Sequence, residues 1–219
     1  PIEFFKQAWC SKKLEHLAPN VLALINHFNR ISRWTSSRIV IERKVRSRAR
    51  VMEHLIFIAK ECMQLNSYHL LLAFISGFNA SAILRLKWTR ARLSKRAQQV
   101  LNELEAFTNM EASYKVYRNA IKTVEPPCIP YLGVYLQDLT FIEDGNPEMI
   151  DGKLINFTKR GMVFKILDQI ITFQQVAYNL EAIPELQKYL SHLPQLTDAD
   201  LYRFSMELEP RNATIKDIQ

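Results

Sequence analysis

The scarcity of glycine constrains this chain more than any other feature of its sequence. Only five glycines occur among its 219 residues. A fold of many β-strands needs glycine at its tight turns, and a glycine-rich phosphate-binding loop needs several within one short segment. Both architectures are therefore excluded. The sequence favours an all-α fold whose helices are joined by polar connections.

Apolar residues recur at the spacing of amphipathic helices. One stripe begins at Leu17 and proceeds in steps of four and three residues to Ile31, and a second runs from Val51 to Leu65. Such steps place the apolar side chains on one face of a helix. Further helices are predicted at residues 70–78, 94–107, 111–120, 184–190 and 198–207.

A helical hairpin is predicted at about residues 131–178. Three prolines between residues 126 and 130 end any preceding helix, and a polar connection at residues 145–154 divides the segment into two arms. Asn156 or Thr158 can cap the second arm, which we expect to continue to about residue 178. Its inward side chains are expected to be Val163, Ile166, Ile170, Phe173 and Ala177.

Two adjacent carboxylates, Glu143 and Asp144, end the first arm of this hairpin. The helix dipole disfavours negative charge at that end by about 0.3 kcal/mol or more. Neighbouring residues on a helix point about 100° apart, so the two acids do not converge on one proton as an acid–base pair would. Two explanations remain: a solvated helix end, or a placement that the function requires.

The charge of the chain is unevenly distributed. Residues 1–100 carry 18 Lys and Arg against 5 Asp and Glu, a net +13, whereas residues 101–219 carry 11 against 17, a net −6. A basic half indicates an acidic partner, which could be nucleic acid, an anionic membrane or an acidic protein surface. The basic run at residues 38–50 lacks interleaved aromatic residues, so we expect no nucleic-acid partner.

No residue pattern indicates a metal site, a cofactor or covalent catalysis. The three cysteines are widely spaced, the five histidines lack the helical i,i+4 pairing of a zinc site, and no nucleophile–base signature is present. Unpaired cysteines indicate a reducing, cytoplasmic setting. No run reaches the length of a membrane span, no signal peptide is recognisable, and one domain over residues 1–219 is expected.

Five ordered stretches of the sequence resemble one known family. They are "LAPNVLALINHFNRISRW", "FNASAILRLKWT", "PPCIPYLGVYLQDLTFIEDGNPE", "LINFTKRGMV" and "FSMELEPRN", and together they span nearly the whole chain. These stretches are similar to the catalytic domain of Ras-type guanine-nucleotide exchange factors. The resemblance is nearest to the Ras-GRF and Son-of-sevenless branch, in which similar forms of the third and fourth stretches occur.

The resemblance implies a bowl-shaped helical domain that binds a Ras-family GTPase, of the Ras or Rap type, and promotes release of its nucleotide without covalent chemistry. In this family a protruding hairpin displaces switch 1 of the GTPase. Its first helix presents one side chain near the magnesium position and an acid near the α-phosphate. The matching residues here are Thr140 and Asp144, and Glu143 is then expected to be a solvated neighbour.

The resemblance also implies a docking surface for switch 2 of the GTPase. Tyr114 and Tyr131 match its aromatic positions, and both suit an interface that is part apolar and part wet. Two alternatives stay open: Ile25 and Leu72 could be plain core, and Asn79 could be a helix C-cap. The complete set of expected GTPase-binding residues is Ile25, Asn26, Leu72, Asn79, Tyr114 and Tyr131.

Three departures from the family pattern leave a second function open. The opening segment usual in the family does not precede "PIEFF", Trp88 stands before Thr89 with Arg90 after it, and Asn26 occupies a position where a basic residue is common. The alternative is a non-catalytic helical module that binds a GTPase or a membrane without exchange. In either case, recruitment to an anionic membrane surface is expected from the basic half.

Overall fold

The fold is all-α, as the sequence predicts. A computed structural model describes residues 2–218, in which eleven α-helices are joined by short connections and one small β-ribbon. The α-helices are α1 (Pro19–Val40), α2 (Val45–Gln64), α3 (Tyr68–Phe78), α4 (Ser81–Leu84), α5 (Lys87–Ala91), α6 (Lys95–Phe107), α7 (Glu111–Ile121), α8 (Leu132–Gly145), α9 (Phe157–Gln174), α10 (Pro184–Ser191) and α11 (Asp198–Leu208).

Shorter elements complete the described chain. Strands β1 (Met149–Ile150) and β2 (Leu154–Ile155) pair antiparallel, with Met149 opposite Ile155. 3-10 helices span Ile2–Cys10, Glu15–Leu17 and Ile215–Ile218. Within residues 2–218, none of the helices combines the length and the apolar character that crossing a bilayer would require.

The main core is formed by one face of each of the helices α1, α2, α3 and α6. Ile31, Met52, Leu71 and Leu101 are buried there, and they belong to the stripes predicted from the sequence or lie beside them. The run at residues 70–78 forms most of α3, whose side chains are buried nearly all round. The apolar pattern therefore predicted this layer of the fold correctly.

Gly77 allows α1 and α3 to approach closely. A Cβ atom at this position would lie 2.7 Å from both the carbonyl oxygen of Ser32 and the Cβ of Thr35. The hydroxyl of Ser36 donates a hydrogen bond to the carbonyl oxygen of Gly77 at 2.8 Å, so a polar contact holds the two helices together at the same point. Any larger side chain would separate the helices.

A second, smaller core attaches the hairpin to the N-terminal segment. Ala8, Val21, Leu136 and Ile170 are buried in it, which brings together the first 3-10 helix, α1, α8 and α9. The carboxylate of Glu3 accepts hydrogen bonds from the backbone N–H groups of Asn20 and Val21 and from the side-chain amide of Asn20. Glu3 thus serves as an N-cap for α1, which has no side-chain cap from its own preceding residue.

A buried ion pair fixes the end of α11 to α2 and α5. Arg48 and Glu209 are both almost fully buried, and the guanidinium Nη2 lies 3.3 Å from the carboxylate Oε1. That oxygen also accepts hydrogen bonds from the backbone N–H and the hydroxyl of Thr89. Arg48 belongs to the basic run at residues 38–50, yet it is buried, because it neutralises a buried carboxylate.

The hairpin arms differ from the sequence prediction in detail. The polar connection between them contains the β-ribbon, and Asn156 is the residue that caps α9, since its side chain accepts from the backbone N–H of Lys159 at 3.0 Å. The helix α9 ends at Gln174, so Ala177 lies beyond it and is exposed. Of the predicted inward stripe, Ile170 alone is fully buried.

We predict that Gly77→Ala destabilises the fold by about 1–3 kcal/mol, because the added methyl overpacks the contact between α1 and α3. Urea unfolding followed by circular dichroism measures this change. Gly161 on α9 provides the matched control, since a Cβ there meets nothing within 4 Å. Gly161→Ala should stabilise the helix by about 0.5–1 kcal/mol, and equal effects from both substitutions would contradict the close approach.

Candidate functional site

The hairpin formed by α8, the β-ribbon and α9 carries Thr140 and Asp144, which are called the wedge residues below. The two helices pack against each other, and the second core holds the hairpin at its base. The far end, from Glu143 to Lys159, is called the hairpin tip below. Within residues 2–218, no three His, Cys, Asp or Glu side chains lie close enough together to hold a metal ion.

The ammonium group of Lys159 organises the hairpin tip. Its side chain is only 2% exposed, and Nζ lies 3.0 Å from Glu143 Oε2 and 2.8 Å from Glu148 Oε1. It also donates to the carbonyl oxygen of Asn146 at 2.9 Å. A buried charge is costly unless it is paired and hydrogen-bonded, so these acceptors belong to one unit with the lysine.

The pKa shifts of Lys159 and Glu148 favour the charged forms of both side chains. Burial alone lowers the pKa of Lys159, but the hydrogen bonds and charges of Glu148 and Glu143 raise it above its ordinary value. The hydrogen bond from Lys159, with its charge and that of Arg160, holds the pKa of Glu148 below the usual carboxylate range. Lys159 and Glu148 therefore stay ionised at neutral pH.

The position of Glu143 corrects one sequence-level expectation. Glu143 was expected to be a solvated neighbour of the functional acid, yet it forms the ion pair with the buried Lys159. The cation on α9 compensates for the unfavourable dipole at the end of α8. Of the two explanations left open for the adjacent acids, solvation is therefore wrong for Glu143.

Thr140 and Asp144 lie four residues apart on α8 and so share one face of the helix. The hydroxyl of Thr140 donates to the carbonyl oxygen of Leu136 at 2.9 Å. The carboxylate of Asp144 is exposed, and its Oδ1 accepts a hydrogen bond from Gln7 Nε2 at 3.0 Å. The tip thus presents an exposed acid, Asp144, beside Glu143, which forms an ion pair within the hairpin.

Two of the expected docking residues, Tyr114 and Tyr131, are in contact. Their ring centroids lie 5.8 Å apart, and the Tyr131 ring also packs 5.5 Å from that of Phe28. The two tyrosines line a groove of about 320 Å³ together with Gly133 and Gln137. A Cβ at position 133 would lie 2.4 Å from Tyr131 Cζ, so only glycine leaves room for this ring.

The electrostatic setting of Tyr131 keeps its hydroxyl protonated. Burial, together with the neighbouring Tyr114, raises the pKa of Tyr131 to about 12. Its backbone N–H donates to the hydroxyl oxygen of Tyr117 at 2.9 Å, which fixes the start of α8 against α7. The phenol is therefore neutral and able to donate a hydrogen bond at physiological pH.

The remaining expected docking residues have different surroundings. Leu72 is 6% exposed in the main core, next to which Tyr114 and Tyr131 pack, and Ile25 packs on the edge of the second core. Asn79 is the C-cap of α3, and its side chain is exposed. Asn26 is exposed and lines a depression of about 600 Å³ that also includes Ala80, the residue after Asn79.

Two polar contacts of this region were not predicted from the sequence. Arg118 on α7 forms a bidentate ion pair with Asp138 on α8, with both nitrogen–oxygen distances 2.7 Å. Gln7 reaches Asp144 from the N-terminal segment. Neither pair follows a local spacing rule, because the partners are 20 and 137 residues apart, and so no sequence signal could have indicated them.

Comparisons with known proteins place these features in context. The sequence profile of the RasGEF domain matches residues 1–161. The chain is 45% identical over 217 residues to Ras guanine nucleotide exchange factor J of Dictyostelium discoideum, covering 99% of this chain and 27% of that protein. Factor I of the same organism is 43% identical over 217 residues, with 99% and 26% covered.

A third relative gives a similar result. Ras guanine nucleotide exchange factor A of Dictyostelium discoideum is 41% identical over 233 residues, covering 100% of this chain and 38% of that protein. The chain thus spans about a quarter of the length of factors J and I and somewhat more of factor A. The similarity extends over the body of the chain and the hairpin alike.

We predict that Lys159→Met loosens the hairpin tip, because it removes the cation shared by two carboxylates. Hydrogen exchange at residues 146–156, corrected for intrinsic rates, should be faster than in the wild type at neutral pH. Lys165→Met is the matched control, since Lys165 is an exposed lysine on the same helix for which the structure shows no ion pair. Equal protection in both variants would contradict the role of Lys159.

The ion pairs of Lys159 with Glu143 and Glu148 predict how the hairpin tip responds to pH. The lowered pKa of Glu148 adds stability above the ordinary carboxylate pKa of about 4.3, and this stability is lost as the pH falls through the lowered value. The raised pKa of Lys159 adds stability below about 10.4, lost as the pH rises through the raised value. The protection of residues 146–156 against hydrogen exchange, corrected for intrinsic rates, should therefore decline at both low and high pH in the wild type.

Proposed function

The chain belongs to the family of RasGEF domains, and from this premise we propose that it is a guanine-nucleotide exchange factor that promotes GDP release from a Ras-subfamily GTPase. Residues 1–219 act in this proposal as one catalytic domain. No covalent bond is made or broken, since the protein binds the nucleotide-free GTPase more tightly than the loaded form and so shifts the population toward release.

The observation that carries this proposal is the arrangement of the hairpin tip. Asp144 is exposed on a helix end that Lys159 holds in place from the neighbouring arm. An anionic side chain that is to act at one site of a partner needs such a rigid support, because a loose side chain would spend binding free energy on ordering. Thr140 shares its helix face one turn earlier.

In the proposed mechanism, docking precedes displacement of switch 1. Switch 2 of the GTPase binds the groove beside Tyr114 and Tyr131, with Leu72 and Ile25 as further apolar contacts and Asn26 and Asn79 as polar neighbours. Aromatic residues with polar tips are the usual anchors of such interfaces. Docking brings α8 against the nucleotide site, where the hairpin displaces switch 1.

Thr140 and Asp144 then act on the bound nucleotide of the partner. Thr140 enters the magnesium position, which removes the counter-charge that holds the diphosphate. Asp144 approaches the α-phosphate position and competes for the donors that had bound it. For this step Asp144 exchanges its hydrogen bond with Gln7 for donors on the GTPase. A hydrogen bond to a charged group contributes about 1.5–3 kcal/mol, and the new bonds from donors on the GTPase offset the loss of this one.

A second candidate function is a module that binds a GTPase without exchange. The observation that favours it is that both wedge side chains already have partners within the chain: Thr140 with Leu136, and Asp144 with Gln7. If those bonds persist in the complex, the hairpin would bind without entering the nucleotide site.

We propose further that the protein is cytoplasmic and is recruited to an anionic membrane surface. A basic patch on α2, on α6 and on the segment before α6 supports it, since its side chains are exposed and no acidic partner lies within ion-pair distance of them. Glu53 of α2 bonds the backbone N–H of Ser94, and Arg96 stacks on Phe57, so the two helices lie side by side there. The basic patch comprises Arg46, Arg50, Arg92, Lys95 and Arg96.

We predict that the wild-type chain accelerates release of a fluorescent GDP analogue from at least one member of a panel of Ras, Rap, Ral and Rho GTPases. Asp144→Ala should lower the maximal rate by about tenfold, because it removes an interaction made during release. Tyr131→Ala should raise the half-saturating concentration by about tenfold, because it removes a docking anchor.

Asp168→Ala is the control for these variants, since Asp168 is an exposed acid on the second arm, α9, with a free carboxylate. It should behave as the wild type. Complex formation with a GTPase without acceleration would favour the binding module. Equal loss from Asp144→Ala and Tyr131→Ala, with the complex abolished in both, would contradict the division of roles.

A separate prediction concerns the basic patch. Arg46→Gln, Arg50→Gln and Lys95→Gln combined should weaken flotation with vesicles of phosphatidylcholine and phosphatidylserine by at least about tenfold, since each cation near the surface contributes about 1 kcal/mol. Exchange in solution should not change. Binding that does not depend on phosphatidylserine, or a tighter affinity for DNA or RNA than for the vesicles, would contradict membrane recruitment by this surface.

A further inference from the structure

The guanidinium of Arg118 connects two elements of the proposed site, α7 and α8, which follow each other in the chain with a proline-containing loop between them. Its two terminal nitrogens donate to the two carboxylate oxygens of Asp138 on α8, each at 2.7 Å. Its Nε donates to the carbonyl oxygen of Ser113 at 2.6 Å. Both side chains of the ion pair are more than two-thirds buried, so solvent screens this pair less than a surface pair.

The contact with Ser113 stabilises an unusual backbone. Ala112, Ser113 and Tyr114 have φ values of 48°, 55° and 63°, and none of them is glycine. Residues with a Cβ seldom adopt this left-handed conformation, and three in succession persist only where the surroundings hold them. Arg118 supplies such a hold from one turn further along the same helix. The position of the Tyr114 side chain therefore depends on Arg118.

The contact with Asp138 holds α8 on the side away from the wedge residues. Asp138 precedes Thr140 by two residues, which places the two side chains about 160° apart around the helix. The ion pair can therefore restrain α8 while Thr140 and Asp144 remain free to contact a partner. Hydrogen bonding to Asp138 also raises the pKa of Arg118, so the guanidinium stays charged.

A second contact links the same two elements. The Tyr114 ring packs against Tyr131, which is the N-cap residue of α8. The start of α7 thus touches α8 at its first turn through an aromatic pair and, through Arg118, near its middle. Movement of Tyr114 on binding a partner would be transmitted to α8 at both points.

We propose that Arg118 is a positioning residue that couples the docking residue Tyr114 to the orientation of the wedge helix α8. This inference rests on the proposed exchange function and deepens it, because it states how docking at the groove is linked to entry of the wedge. Arg118 touches neither nucleotide nor wedge residue in this role. It acts through Ser113 on docking and through Asp138 on the hairpin.

The two arms of the guanidinium can be separated by substitution. Asp138→Asn keeps the shape of the side chain and weakens only the arm to α8, so it should lower the maximal exchange rate by about fivefold and leave the half-saturating concentration within about twofold. Arg118→Met removes both arms. It should lower the maximal rate at least as much and raise the half-saturating concentration by about tenfold.

The charge-swapped pair Arg118→Asp with Asp138→Arg provides a rescue test. It restores an ion pair between α7 and α8, so the maximal rate should recover at least half of its loss. An aspartate at 118 has no N–H to donate to Ser113, so the half-saturating concentration should stay raised. Arg203→Met is the matched control, because Arg203 forms an exposed ion pair with Asp200 on α11 and should leave both kinetic values unchanged.

Hydrogen exchange separates failure of this inference from failure of the exchange function. Without any GTPase, Arg118→Met should speed exchange at residues 113–117 and 132–138, and Arg203→Met should not. Wild-type inactivity on every GTPase would overturn the exchange function alone. Unchanged hydrogen exchange in Arg118→Met, unchanged kinetics in both single variants, or a loss of rate that only follows the loss of folded protein would each overturn the coupling.

Discussion

The buried ammonium group of Lys159 determines which residues the exposed end of the hairpin must contain. Removing a lysine from water is unfavourable unless acceptors surround it, so the turn between α8 and α9 has to supply carboxylates and carbonyl oxygens at close range. This requirement accounts for acidic residues at a helix end where the dipole disfavours them. It also leaves Asp144, which is not recruited to the lysine, as the exposed acid of the pair.

The hairpin is held to the rest of the molecule by contacts of different physical kinds. At its base, apolar side chains of α8 and α9 pack with Ala8 and Val21, which is a non-directional contact. Higher up, Arg118 and Gln7 make directional hydrogen bonds to α8. Packing attaches the base of the hairpin, whereas the polar contacts fix the orientation of α8, because hydrogen bonds depend on direction and apolar packing does not.

The sequence predicted the parts of the fold that follow from local periodicity. The stripe from Leu17 to Ile31 and the run at residues 70–78 became α1 and α3, since their apolar spacing matches one helix period. The end of α9 was placed too late because apolar residues continue past Gln174 without being buried. Phe164 and Ile171 on α9 are exposed as well, so hydrophobicity there did not report burial.

The contacts that shape the candidate site were beyond the reach of local patterns. Arg48 has the same sequence context as its exposed neighbours, and only a carboxylate 161 residues away makes it a core residue. Lys159 lies within a stretch that the resemblance identified, yet its surroundings depend on acceptors of the connection after α8, at Asn146 and Glu148. Tyr114 and Tyr131, which the resemblance matched to one docking surface, have rings in contact, and their role in docking stays a prediction.

Substitution of Gly133 offers a way to change which partner a protein with this groove prefers. The ring of Tyr131 occupies the space that a side chain at position 133 would need. Every substitution at 133 would therefore displace that ring. The shape of the groove proposed for docking is thus set partly by a residue that has no side chain. Selection for a different partner could act on this position while every directly contacting side chain stays the same.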